Sequence, residues 1–163
     1  MLHRKLVIML SVALTSLAVL TAGPAQAATS ASPPTPGSGH TLRYLAYQYA
    51  LTQQGKWYCW AGAGPVCYDC SGLVYASYQH EGIQLGRSTY DMLASDQLIP
   101  ISHAQARSGD LAFYGTGHVE LFARDNITFG AHESGTQVGF VQYGPYWYPT
   151  AYYRVKDADQ RPT

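Results

Sequence analysis

Residues 69–80 read Asp69-Cys70-Ser71-Gly72-Leu73-Val74-Tyr75-Ala76-Ser77-Tyr78-Gln79-His80, with Gly82 two positions on. Asp69 has the chemistry of a helix N-cap, because its carboxylate can accept from the unpaired N–H groups of the first turn. A helix is expected through Leu73, Val74 and Ser77 to about His80, with Gly82 as its stop. Cys70 then lies in the first helical turn, where the helix dipole favours an anion. That placement lowers a thiol pKa below its free value of about 8.5. The same N–H groups can donate to the oxyanion that forms when a carbonyl is attacked. Cys70 is therefore a candidate nucleophile.

Upstream, Thr41 can cap a helix in which Leu42, Leu45, Tyr49 and Ala50 recur at helical spacing, with Gly55 as its stop. Residues 57–68 form a loop rich in glycine and aromatic residues. A short helix is expected around Thr89 to Ser95. After Ser108-Gly109-Asp110 the period changes to two. Strands are expected at Leu111–Tyr114, Val119–Ala123, Ile127–Ala131, Val138–Val141 and Ala151–Val155. Helices followed by an antiparallel meander define an α+β fold, not the alternating order of a parallel sheet.

The strand arithmetic singles out two histidines. Successive side chains alternate faces. Val119, Leu121 and Ala123 make an apolar face, whereas His118, Glu120 and Phe122 share the other. The following strand repeats this, with Ile127, Phe129 and Ala131 apolar and Thr128, Gly130 and His132 opposite. A three-residue turn at Arg124-Asp125-Asn126 would set His118 beside His132 and Glu120 beside Gly130. Opposed Cα atoms in such a ladder lie about 4.5–5.5 Å apart. His118 is then the candidate base for Cys70 and His132 its orienter, with Glu120 held in reserve: a nucleophile, base and orienter arrangement. His40, His80 and His103 lack such a context and read as surface residues.

The ends of the chain bear on its destination. Met1-Leu2-His3-Arg4-Lys5, an apolar run to about Ala22, and Ala25-Gln26-Ala27 follow the order of a secretory signal peptide over residues 1–27. Residues 28–40, rich in Ser, Thr and Pro, read as a flexible linker, leaving a single domain at 41–163. The whole chain carries ten basic and ten acidic residues, and loss of Arg4 and Lys5 would leave a slightly acidic protein. That balance argues against a nucleic-acid binder. A secreted monomer without stable membrane insertion is expected.

Three cysteines imply one left over. A Cys59–Cys67 disulfide would pin the loop and leave Cys70 free. A Cys67–Cys70 bridge, which would silence Cys70, is the second pairing. A zinc site or a thioredoxin-like redox pair fits the spacing and element order poorly.

Together the stretches Tyr58-Cys59-Trp60-Ala61-Gly62, Tyr68-Asp69-Cys70-Ser71-Gly72-Leu73-Val74, Leu85-Gly86-Arg87-Ser88-Thr89, Gly109-Asp110-Leu111 and Gly117-His118-Val119 resemble the NlpC-type cell-wall peptidases, which are papain-like cysteine peptidases. The resemblance covers roughly Thr41 to Val155. It implies hydrolysis of amide bonds in peptidoglycan peptides, often between D-glutamate (through its γ-carboxyl) and diaminopimelate. Cys70 matches the family's nucleophile, His118 its base and Tyr58 a tyrosine near the nucleophile. Tyr58, Asp69 and Ser71 are thus the candidate oxyanion and substrate-binding residues, and no metal or cofactor is implied. The sequence departs from the family where the third polar residue usually follows the base by twelve, a position held here by Gly130. Ala61 and Gly86 replace a more usual glycine and proline. The aromatic run from Tyr143 to Tyr148, with Tyr152 and Tyr153, reads as strand packing plus a loop, or as the lining of a substrate groove.

Overall fold

The computed structural model describes residues 40–161. The expected signal peptide and all of the linker except His40 lie outside the described residues. Three α-helices precede the sheet: α1 (Leu42–Leu51), α2 (Cys70–His80) and α3 (Thr89–Ala94). The strands are β1 (Leu98–Ile101), β2 (Leu111–Tyr114), β3 (His118–Arg124), β4 (Ile127–Gly130), β5 (Gly139–Gln142) and β6 (Ala151–Val155). They form one antiparallel sheet in the order β1-β6-β2-β3-β4-β5. This is the α+β arrangement that the order of periodicities implied.

Local chemistry explains the helix starts. Thr41 accepts from the N–H of Tyr44, Asp69 from Gly72, and Ser88 from Asp91, whose carboxylate in turn accepts from the Ser88 N–H. Gly72 lies in the first turn of α2 because a Cβ there would stand 1.9 Å from the Gly62 carbonyl oxygen. The close approach of loop and helix is thus built into the sequence.

The apolar face of the sheet carries the core. Leu111, Phe113, Val119, Leu121, Phe129 and Ala131 are all solvent-inaccessible and cluster with Ala46, Ala50, Leu73 and Tyr78 of α1 and α2. Tyr47 meets Phe129 edge to face at 6.3 Å. The opposite face is not simply solvated. Glu120, Phe122 and Thr128 are buried there, beside rings from the C-terminal third of the chain. Tyr152 meets Phe122 at 6.0 Å, and Trp147 stacks on Tyr114 at 4.9 Å. Tyr146 and Tyr148 of the same aromatic run are exposed.

Two details depart from the sequence reading. The β3–β4 turn holds two residues, Asp125 and Asn126, not three. Pairing is Leu121 with Phe129 and Phe122 with Thr128, as expected, but Arg124 then faces Ile127 through a bulge. The bulge absorbs the residue assigned to the turn, so the ladder on its far side is unchanged. The other departure is β1, which the period did not reveal. It pairs along β6 at the sheet edge and includes Pro100 opposite Tyr153. Proline is tolerated at an edge because no inner ladder bond is lost.

Candidate active site

Cys70 opens α2, is the free cysteine, and is nearly buried. Cys59 and Cys67 form a disulfide with Cα atoms 5.7 Å apart. The first of the two pairings drawn from the sequence is therefore the one present. The loop between them carries Gly62, whose carbonyl accepts from the Asp69 N–H and from Arg87.

Asp69 is fully engaged. Its carboxylate accepts from the Gly72 N–H at 2.6 Å, from the Ser71 hydroxyl at 3.3 Å, and from both terminal nitrogens of Arg87 at 3.0 and 2.8 Å. Arg87 also donates to the Ser71 hydroxyl oxygen at 3.2 Å. The side chains of Asp69 and Ser71 thus hold the start of α2, and both residues also line a cleft beside the sulfur. A forked guanidinium on a carboxylate fixes direction as well as distance. Arg87 lay within a motif already singled out, but its role depends on a contact eighteen residues back in the chain, which periodicity cannot show.

His118 begins β3. Its Nε2 is 3.1 Å from Glu120 Oε1, and His132 Nδ1 is 3.0 Å from the same oxygen. The two imidazoles stand 5.4 Å apart, edge to face. Glu120 thus touches both histidines, and His132 reaches His118 through it. The sequence reading gave His132 the orienting role and Glu120 the reserve. The geometry sets Glu120 directly against the base. The place for it is made by Gly130, where a Cβ would fall 2.5 Å from Glu120 Cγ. Thr128 donates to Glu120 Oε2, and the Tyr114 hydroxyl lies 3.5 Å from that oxygen. The carboxylate has no accessible surface and every oxygen partnered, the condition under which a buried charge is tolerated.

The electrostatics follow from these contacts. For Glu120, burial favours the neutral acid, but hydrogen bonds from His118, His132 and Thr128 outweigh it and hold the carboxyl at about 2. For His118, burial opposes the charged ring, but hydrogen bonds with Cys70 and Glu120 push its pKa up to about 9. For Cys70, burial raises the thiol, yet the hydrogen bond and charge of His118, with the N–H groups of Val119 and Ser71, bring it below its ordinary value. The two groups titrate as a pair, and both shifts favour thiolate with imidazolium. Since Nε2 faces Glu120, Nδ1 is the nitrogen left for the sulfur. Tyr58 stays a phenol, its hydroxyl raised by burial and by the negative charges of Cys70 and Asp69.

A cleft of about 370 Å³ opens beside the sulfur, lined by Tyr58, Trp60, Cys70, Arg87 and Tyr90 among others. His118, Glu120 and His132 each offer one ligand atom within 4.8 Å of the others, the group able to hold a metal ion among the described residues. His40, His80 and His103 are exposed, as expected.

This geometry has counterparts among known proteins. The family model for the NlpC/P60 family matches residues 55–155, and the chain belongs to that family. It is 33% identical over 106 residues to the bifunctional muramidase/DL-endopeptidase CwlT of Bacillus subtilis, a match that covers 60% of this chain and 31% of that protein. The chain thus spans about a third of the length of that relative. Among solved structures, an NLP/P60-family protein from Staphylococcus aureus described as similar to lipoprotein aligns with TM-score 0.61 and 27% identity over 74% of this chain and 45% of its own. RipD of Mycobacterium tuberculosis, described as a non-catalytic NlpC/p60 domain protein adapted to peptidoglycan binding, aligns with TM-score 0.59 and 28% identity. That alignment covers 71% of this chain and 98% of RipD.

Proposed function

We propose that the protein is an exported cysteine endopeptidase that cleaves amide bonds in peptidoglycan peptides, of the D-γ-glutamyl–diaminopimelate type. The observation that carries this reading is the Cys70–His118 pair, with the thiol at a helix N-terminus and the imidazole pinned by Glu120. His118 maintains the thiolate and the sulfur attacks the amide carbonyl. N–H groups at the start of α2, with the Tyr58 hydroxyl at the cleft wall, stabilise the oxyanion. His118 passes its Nδ1 proton to the leaving amine, and water then releases the acyl group. Asp69, Ser71 and Arg87 hold the helix start in place. Export rests on the signal peptide expected at residues 1–27, and the protein acts as a monomer.

The second reading is a wall-binding module without catalysis, as RipD is described. The lowered thiol of Cys70 and its partnered imidazole favour the peptidase. Digestion of purified peptidoglycan by the protein and by Cys70→Ser, with products read by mass spectrometry, tests the choice. New peptide fragments from the wild type alone are expected, and their masses identify the bond. Equal absence of fragments from both folded proteins would leave the binding module.

A further inference from the structure

We propose that His118, Glu120 and His132 form a divalent-cation site, of the zinc class, which shuts off the Cys70 thiol by taking the lone pair of its base. The consequence for the thiol rests on the peptidase reading; the site itself does not.

Zinc bonds to imidazole nitrogen at about 2.0–2.1 Å and to carboxylate oxygen at about 2.0–2.2 Å. A tetrahedron with such bonds has edges of roughly 3.3 Å. The Nε2···Oε1 and Nδ1···Oε1 separations here are 3.1 and 3.0 Å, and one ligand atom from each residue lies within 4.8 Å of the others. Exchange of the shared hydrogen bonds for a cation therefore needs only small movements, chiefly of the two rings toward each other.

The supports that such a ligand set needs are present. Glu120 Oε2 is held by Thr128, with Tyr114 next to it, so Oε1 is fixed in the direction of the imidazoles. The His118 and His132 side chains are 13% and 25% exposed, whereas Glu120 is 0% exposed. An ion would thus sit on the solvent side of a buried carboxylate, with its fourth position open to water. Two imidazoles and one carboxylate are a donor set that zinc accepts and that calcium and magnesium, which prefer oxygen, do not.

The effect on the thiol follows from proton placement. A neutral imidazole bound through Nε2 carries its one proton on Nδ1. It has no lone pair with which to accept the Cys70 proton, and donation of that proton to a leaving amine would leave an imidazolate. Removal of the ion restores the base without any covalent change.

The competing location for zinc is Cys70 with His118, so the test removes the sulfur. Zinc is titrated calorimetrically into the full chain carrying Cys70→Ser, and into the same protein with His132→Ala added. Cobalt absorption spectra are recorded in parallel on the wild type. The expected result is one zinc bound by Cys70→Ser, affinity lowered at least tenfold by His132→Ala, and tetrahedral cobalt bands with no thiolate charge-transfer band. Three results would each overturn the proposal: no binding to Cys70→Ser, unchanged affinity in the His132→Ala protein, or a thiolate-to-cobalt band. Because the readout is binding, absence of peptide hydrolysis would count against the peptidase reading and leave this one standing.

Discussion

At the scale of single residues, Glu120 decides how His118 behaves. Its carboxylate is the direct partner of Nε2, and it helps push the His118 pKa up to about 9. An imidazolium that persists to about pH 9, opposite a thiol whose pKa is lowered, defines the window in which the reactive pair exists. Glu120→Gln removes the charge but keeps the shape. The His118 pKa then falls, so the basic limb of the pH–rate profile should move below about 9 and kcat/KM should drop about a hundredfold or more. His132→Ala leaves the Glu120–His118 bond in place and should cost less. Profiles measured with a chelator present check both, and a larger loss in His132→Ala would return the orienting role to that residue. The nucleophile and base could be read from the sequence because each carries a local signature, a cap on one side and a strand start on the other. Their ordering partner was legible only as a choice: the strand arithmetic set Glu120 beside Gly130 but gave the orienting role to His132 and held Glu120 in reserve. Which of the two meets the base depends on side-chain reach across the facing strands, which alternation does not give.

At the scale of elements, the loop from Cys59 to Tyr68 packs against the start of α2 through the Gly62 carbonyl, which accepts from the Asp69 N–H and from Arg87. Ala61 within it has φ of 59°, in the left-handed region that an L residue with a Cβ enters at a cost. Glycine carries no such penalty, although it gains more freedom in the unfolded chain. Ala61→Gly should therefore raise stability by up to about 1 kcal/mol, read as a higher denaturation midpoint with an unchanged slope. A lower midpoint would mean that the methyl group packs usefully in the cleft wall. The helices were legible because Thr41, Asp69 and Ser88 cap them and apolar residues recur behind the caps. The inner strands were legible because their period of two is clean. β1 was not, because Leu98-Ile99-Pro100-Ile101 shows no alternation and owes its pairing to β6, more than fifty residues away. The bulge near Ala123 was hidden for a related reason, since a two-residue turn plus one extra residue spans the same length as a three-residue turn.

At the scale of the whole molecule, the two ends of the described chain close on each other. The first N–H groups of α1 have no partner within the helix. Leu42 and Arg43 donate instead to the carbonyls of Gln160 and Ala158, at 2.9 and 2.7 Å. Arg43 also pairs with Asp159 at 3.0 Å, and Asp159 pairs with Arg154 of β6 at 3.2 Å. Ala158 itself is fully buried. The C-terminal turn is thus a cap for the first helix, and it ties the helical layer to the β6 side of the sheet. Deletion of residues 157–163 removes two backbone hydrogen bonds worth about 1 kcal/mol each, together with the burial of Ala158 and the exposed ion pairs, which add little. The expected loss is about 2–3 kcal/mol. Because Cys70, His118 and Glu120 touch none of these residues, the truncated protein should keep its thiol reactivity at low temperature while its denaturation midpoint falls. Equal losses of reactivity and stability at low temperature would instead mean that the turn sets the position of α2 through α1, and that the site depends on the closure of the chain.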